Sequence, residues 1–141
     1  MKVKDIMTPH VVKIHPDEPV DAAARALAHY NVGALPVCGS DGRLLGMVTD
    51  RDLVIRCMAS GMAANTPVKD VMTGRVVSAA PDMDAGVAAH LMGRQQVRRL
   101  PVVEGGILCG MVSLGDLANC EENAIDAADA LTEITSNISQ R

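Results

Sequence analysis

Two short stretches set a hydroxyl three residues ahead of a carboxylate. One is Gly46-Met47-Val48-Thr49-Asp50-Arg51-Asp52 and the other Gly110-Met111-Val112-Ser113-Leu114-Gly115-Asp116. An ionised carboxylate only accepts hydrogen bonds, through two oxygens, so it can hold both hydroxyls of a ribose. The N–H groups of a helix start nearby would suit an anion. The same spacing is also that of a capping box, in which Thr49 or Ser113 caps a helix and the aspartate answers it. That box prefers Glu or Gln in the answering place, and Asp is shorter. Both readings stay open on the motif alone.

The elements needed to position these pairs follow from hydrophobic periodicity. Apolar residues before each hydroxyl predict a strand ending there, and the apolar run after each aspartate predicts a helix starting there. The surroundings of the two pairs match as well. Residues 3–37 coincide with residues 68–102 at 15 of 35 positions, and the frame resumes after a one-residue deletion. Such a frame is the mark of an internal duplication. In each copy a short β-branched stretch (Val11–Ile14, Val76–Ala79) predicts a strand. A Pro-Asp turn follows, then a helix over Val20–His29 or Ala85–Gln95. Ala34–Cys38 and Leu100–Val103 each contain a proline, which suits an edge strand or a strand start. Gly39–Gly42 and Glu104–Gly106 turn a hairpin into the strand that ends at Thr49 or Ser113. The last helices run over Asp50–Ala59 and Leu114–Cys120.

A β-α-β-β-α unit of about 60 residues buries little surface alone. The fold class is therefore α+β: tandem β-α-β-β-α repeats packed with pseudo-two-fold symmetry around one shared core, plus a C-terminal helix. The divisions are 1–65, 66–120 and a tail of 121–141, in one compact module. In the tail, Ile125, Ala128, Leu131, Ile134 and Ile138 recur at helical spacing, for a helix that covers the module or meets a second subunit. Met58, Met62 and Met92 are expected as core filler.

Composition excludes several classes. The chain of 141 residues has a net charge of −4 and one aromatic residue, Tyr30. A general nucleic-acid binder needs basic charge and stacking rings. No apolar run reaches the roughly 20 residues of a membrane span. The N-terminus lacks the apolar stretch of a signal peptide, so a cytoplasmic location is expected. Cys38, Cys57, Cys109 and Cys120 form no C-x-x-C, and the histidines lack zinc spacing. Reduced, mostly buried thiols are the simplest account, with a redox or metal sensor as the rival. No catalytic Ser or Cys motif, P-loop or Rossmann fingerprint is legible, so no enzyme is expected.

The duplicated V-x-D-h-M-T opening, the L-P-V strand and the G-h-V-[ST]-x-x-D junction, in that order, resemble the cystathionine-β-synthase (CBS) domain pair, or Bateman module. The resemblance covers residues 3–120 and is to the small stand-alone bacterial pairs. It implies a non-enzymatic regulatory module with no obligatory cofactor, binding an adenosine-containing ligand such as AMP, ADP or ATP between repeats. It also implies a homodimer and an unknown protein target.

Carried over, Thr49 with Asp52 and Ser113 with Asp116 hold ribose, and each cleft mixes repeats. Arg51 is a further cation beside Asp52, and Thr73, Val77, Ser78, Arg98, Arg99 and Pro101 complete the Asp52 site. Thr8, Val12, Lys13, Gly33, Ala34 and Pro36 complete the Asp116 site. On that crossed arrangement Asp52 has the better phosphate site, because Arg binds phosphate bidentately. If each cleft drew on one repeat only, Arg98 and Arg99 would serve Asp116 instead, and they could also be a plain solvated pair. The rival function is a ligand-free dimerisation module.

Overall fold

The computed structural model describes residues 1–139, with side chains to residue 136; Ile138 of the predicted tail stripe and residues 140 and 141 lie outside the described side chains. The chain forms two compact units. One is contiguous, Val12–Val76; the other is composite, joining Met1–Val11 to the chain from Val77 onward.

The contiguous unit holds α2 (Val20–Tyr30), β1 (Ala34–Cys38), β2 (Leu44–Thr49) and α3 (Asp50–Asp52). The composite unit holds α1 (Val3–Ile6), α4 (Ala85–Gln95), β3 (Arg99–Glu104), β4 (Ile107–Ser113), α5 (Leu114–Ala118) and α6 (Ala124–Ser139). Each unit has one antiparallel hairpin, β1 with β2 or β3 with β4. Helix α2 buries Val20, Ala23 and Leu27 on one face and stops at Asn31, whose φ of 53° is the left-handed conformation that ends helices. Helix α4 starts where the Asp84 carboxylate accepts from Gly86 N at 2.9 Å. The β3–β4 turn places Gly105 and Gly106 at φ 59° and 84°, signs that a tight hairpin turn demands and glycine supplies.

Several elements differ from expectation. The sequence divisions 1–65 and 66–120 follow the repeats along the chain, whereas contacts group it into the two units above. The opening of the first repeat belongs with the second hairpin, where Thr8 bridges Met111, and the opening of the second repeat belongs with the first, where Thr73 bridges Met47. Accordingly the buried apolar residues form two clusters rather than one shared core. Leu35, Val37, Val48, Val68 and Val71 anchor one; Val3, Met92, Leu100, Val102 and Leu117 anchor the other. Val11–Ile14 and Val76–Ala79 are not strands. Each makes a single parallel bridge, Ile14 to Val37 and Ala79 to Val102, at the outer side of β1 or β3. Beyond α3 the chain widens into a π-helical turn, Leu53–Met58, with Ala59 N donating to Val54 O. Of the methionines, Met92 is fully buried, whereas Met58 is 74% and Met62 43% exposed.

The exchange of openings explains the glycine that starts each motif. A β-carbon on Gly46 would lie 2.5 Å from the Thr73 carbonyl oxygen, and one on Gly110 would lie 2.8 Å from that of Thr8. Only a residue without a side chain lets the second backbone come within bonding distance. Gly46→Ala and Gly110→Ala are each expected to destabilise the fold by about 1–3 kcal/mol through overpacking, seen as a lower urea midpoint; an unchanged midpoint refutes the account.

Candidate functional site

Both hydroxyl–carboxylate pairs sit where a strand passes into a helix. At the first, Asp52 N donates to Thr49 Oγ1 at 3.0 Å and Thr49 N donates to Asp52 Oδ2 at 3.0 Å. At the second, Asp116 N donates to Ser113 Oγ at 3.0 Å and Ser113 N donates to Asp116 Oδ2 at 2.8 Å. The capping box is thus formed twice, and it occupies one carboxylate oxygen in each case. The other oxygen separates the two junctions. Asp52 Oδ1 lies 3.5 Å from Arg56 Nε, on a side chain that is 11% exposed. Asp116 Oδ1 has no partner among the described residues.

Hairpin register decides which neighbours each junction has. In antiparallel pairing the first residue of the incoming strand faces the last residue of the outgoing one. Ala34 therefore faces Thr49, and Asp50 N donates to Gly33 O. In the composite unit Arg99 faces Ser113, and Leu114 N donates to Arg98 O. The sequence expectation joined Arg98 and Arg99 to Asp52; the β3–β4 register sets them beside Ser113. Both side chains are exposed, and neither guanidinium is paired among the described residues.

The remaining expected residues divide between the units. Val12, Lys13, Gly33, Ala34, Pro36 and Thr73 belong with Thr49, Arg51 and Asp52 in the contiguous unit; Thr8, Val77, Ser78 and Pro101 belong with Ser113 and Asp116 in the composite one. Pro36 and Pro101 are buried, and their carbonyls accept from Ile14 N and Ala79 N. Their role is therefore backbone pairing, which proline can serve as acceptor though it has no N–H.

The sequence reading missed that α6 shares a cavity with the arginines. A cavity of about 550 Å³ is lined by Arg98, Arg99, Ser113 and Gly115 together with Ala124, Ala127, Ala128 and Leu131 of α6. The signal was present as the tail's apolar spacing, but its orientation was not.

Among the described residues no three His, Cys, Asp or Glu side chains converge as a metal site. Burial pushes the thiols of Cys38 and Cys109 above the usual range. They are accordingly held as thiols, not as reactive thiolates, at neutral pH. Among the described residues no helix is long and apolar enough to cross a membrane.

Two hairpin-and-helix repeats, each ending a strand in the same hydroxyl–carboxylate box, define a duplicated α+β module. The CBS domain model matches residues 3–58 and again 68–123, so the chain belongs to the CBS-domain family, as a tandem regulatory pair followed by a C-terminal helix. It is 43% identical over 133 residues to the CBS domain-containing protein YhcV of Bacillus subtilis, covering 94% of each chain. It is 38% identical over 125 residues to hypoxic response protein 1 of Mycobacterium tuberculosis, covering 86% of this chain and 87% of that one. The crystal structure of that response protein, with two coordinated zinc ions, superposes with a TM-score of 0.79 at 34% identity, covering 85% of this chain and 98% of the other. The crystal structure of CBSX2 in complex with AMP superposes with a TM-score of 0.76 at 28% identity, covering 88% and 98%.

The box itself has a measurable worth. Ser113→Ala and Thr49→Ala each remove a capping oxygen and are expected to cost about 1 kcal/mol, read as a drop in melting temperature. If neither variant is destabilised, the boxes do not hold these helix starts.

Proposed function

We propose that the chain is a non-enzymatic sensor of an adenine nucleotide, with the Ser113–Asp116 junction as its principal site. The observation that carries this is the free second oxygen of Asp116 on the same unit as two unpaired arginines in register with Ser113. The carboxylate takes the ribose hydroxyls, and the arginines take phosphate oxygens, for which their planar donor forks are suited. At the Thr49–Asp52 junction the corresponding carboxylate oxygen is paired with Arg56, and Gly33 and Ala34 stand where the other unit has Arg98 and Arg99. The proposal thus departs from the crossed expectation, which gave the phosphate to Asp52. The structural likeness to an AMP complex supports an adenosine ligand. Any output passes through a partner or through self-assembly.

Calorimetric titration of AMP and adenosine tests the assignment. Asp116→Ala is expected to weaken both ligands tenfold or more, since a lost charged hydrogen bond costs about 1.5–3 kcal/mol. Arg99→Ala is expected to remove the preference for AMP over adenosine. Unchanged affinities with a lower melting temperature in Asp116→Ala would leave the aspartate as a cap and nothing more.

The second reading, a ligand-free interaction module, is favoured by one surface. Val54, Ile55 and Met58, on the π-helical turn, are 51%, 51% and 74% exposed. Clustered apolar exposure of that kind marks a contact surface. We infer a homodimer through it. Light scattering at micromolar concentration is expected to give a dimer mass that Ile55→Asp lowers toward the monomer; a monomeric wild type would count against the contact.

A further inference from the structure

The sequence leaves open whether the apolar stripe of α6, Ile125, Ala128, Leu131, Ile134 and Ile138, covers the module or meets a second subunit. Among the described side chains Ile134 is buried together with Ala127 and Ala130, while Ile125 is 78% and Leu131 43% exposed. The cause lies in α4. Gly86 and Gly93 are one heptad apart, and α6 runs close over both. A β-carbon on Gly93 would lie 3.1 Å from Ala130 Cα and 2.7 Å from Glu133 Oε2; one on Gly86 would lie 3.0 Å from Asp126 Oδ2. Small residues on both helices are what permit such an approach, and they select the alanine face of α6. His90 Nε2 and Asp126 Oδ1, 3.2 Å apart, join the helices between the two glycines.

The placement of α6 gives it a second role. Ala124, Ala127, Ala128 and Leu131 line a cavity together with Arg98, Arg99, Ser113 and Gly115. The cavity, at about 550 Å³, is within the range of small-molecule sites. Among the described residues its only charged lining residues are the two arginines, and their guanidinium groups have no partner there. Ser113 and Gly115 of the Asp116 junction line the same cavity, so an anionic group drawn to the arginines there shares it with α6.

We propose that α6 is part of the ligand site, with Leu131 and Ala128 forming the wall that confines the anionic end of the nucleotide. Occupancy of the cavity and docking of α6 on α4 are then coupled. This rests on the nucleotide reading of the Asp116 junction. Coupling is reciprocal: whatever the docked helix adds to affinity, the ligand returns as helix protection. The C-terminal helix thereby becomes the element through which occupancy is felt at the surface, and a ligand without phosphate, which does not reach the arginines, leaves it unaffected.

The experiment uses the full chain with AMP and adenosine as probes. Leu131→Glu places a negative charge on the wall at a half-exposed position that the fold does not depend on. It is expected to weaken AMP about fivefold or more and to leave adenosine unchanged, while Leu131→Lys retains or strengthens AMP. Hydrogen exchange of the amides of residues 124–136 is expected to slow with AMP and not with adenosine. Gly93→Ala, which forces α6 away from α4, is expected to lower AMP affinity more than adenosine affinity. Equal AMP affinity in wild type and Leu131→Glu, or exchange in α6 that ignores AMP while adenosine still binds, overturns the role of α6 and leaves the ribose site standing. Failure of both probes to bind wild type overturns the nucleotide reading, and this inference with it.

Discussion

How near two backbones can come to each other at Gly46 and Gly110 governs most of what surrounds them. At each, a passing segment pairs with the strand one residue further on, Thr73 with Met47 and Thr8 with Met111. The strand can then carry neighbours on both sides and still end in a hydroxyl whose helix start is fixed by its own carboxylate. Take away the close approach and Thr8 or Thr73 loses its bridge, the opening segment loses its anchor, and Val3 or Val71 leaves its core. The glycine, the hydroxyl and the aspartate of each motif are in this sense one device with three parts: access for a second backbone, a cap, and an acceptor.

That device was legible in the sequence because it is local. Hydrogen bonds between residues three apart follow from spacing, so both junctions, the strand Ala34–Cys38 and the helix Ala85–Gln95 could be placed from pattern alone. What could not be read depended on partners far off in the chain. The two openings, Val3–Thr8 and Val68–Thr73, are nearly the same sequence, so no pattern says which hairpin each will join. The position of Arg98 and Arg99 beside Ser113 follows from strand register, and their earlier association with Asp52 had rested on the family resemblance. The orientation of α6 was ambiguous for a different reason. Ile125, Ala128, Leu131 and Ile134 are the more apolar stripe, yet of these Ile134 is buried and Ile125 and Leu131 are exposed, because the glycines of α4 draw in the smaller Ala127 and Ala130.

The two junctions are similar in backbone and unlike in charge. Arg56, on the turn that follows α3, reaches both Asp52 and the Met72 carbonyl, so the first carboxylate is tied into its own unit. After α5 the chain has no counterpart of Arg56: the residue four beyond Asp116 is Cys120, whose thiol meets the Met1 sulfur. One substitution in a duplicated frame thus separates a carboxylate tied to an arginine from one whose second oxygen has no partner among the described residues. Duplication supplies two equal frames, and ordinary surface chemistry makes them unequal.

The traded openings also order the events of folding. The contiguous unit has all its segments once residue 76 has left the ribosome, whereas the composite unit must hold Met1–Val11 in reserve until the second hairpin and α6 exist. Val3, fully buried in the finished core, spends that interval without its partners. Closing it brings together ends separated by the whole of the first unit, an entropic toll that grows only slowly with loop length and is smaller still once that loop has itself condensed. Synthesis from the N-terminus therefore completes the segments of the contiguous unit before those of the composite one.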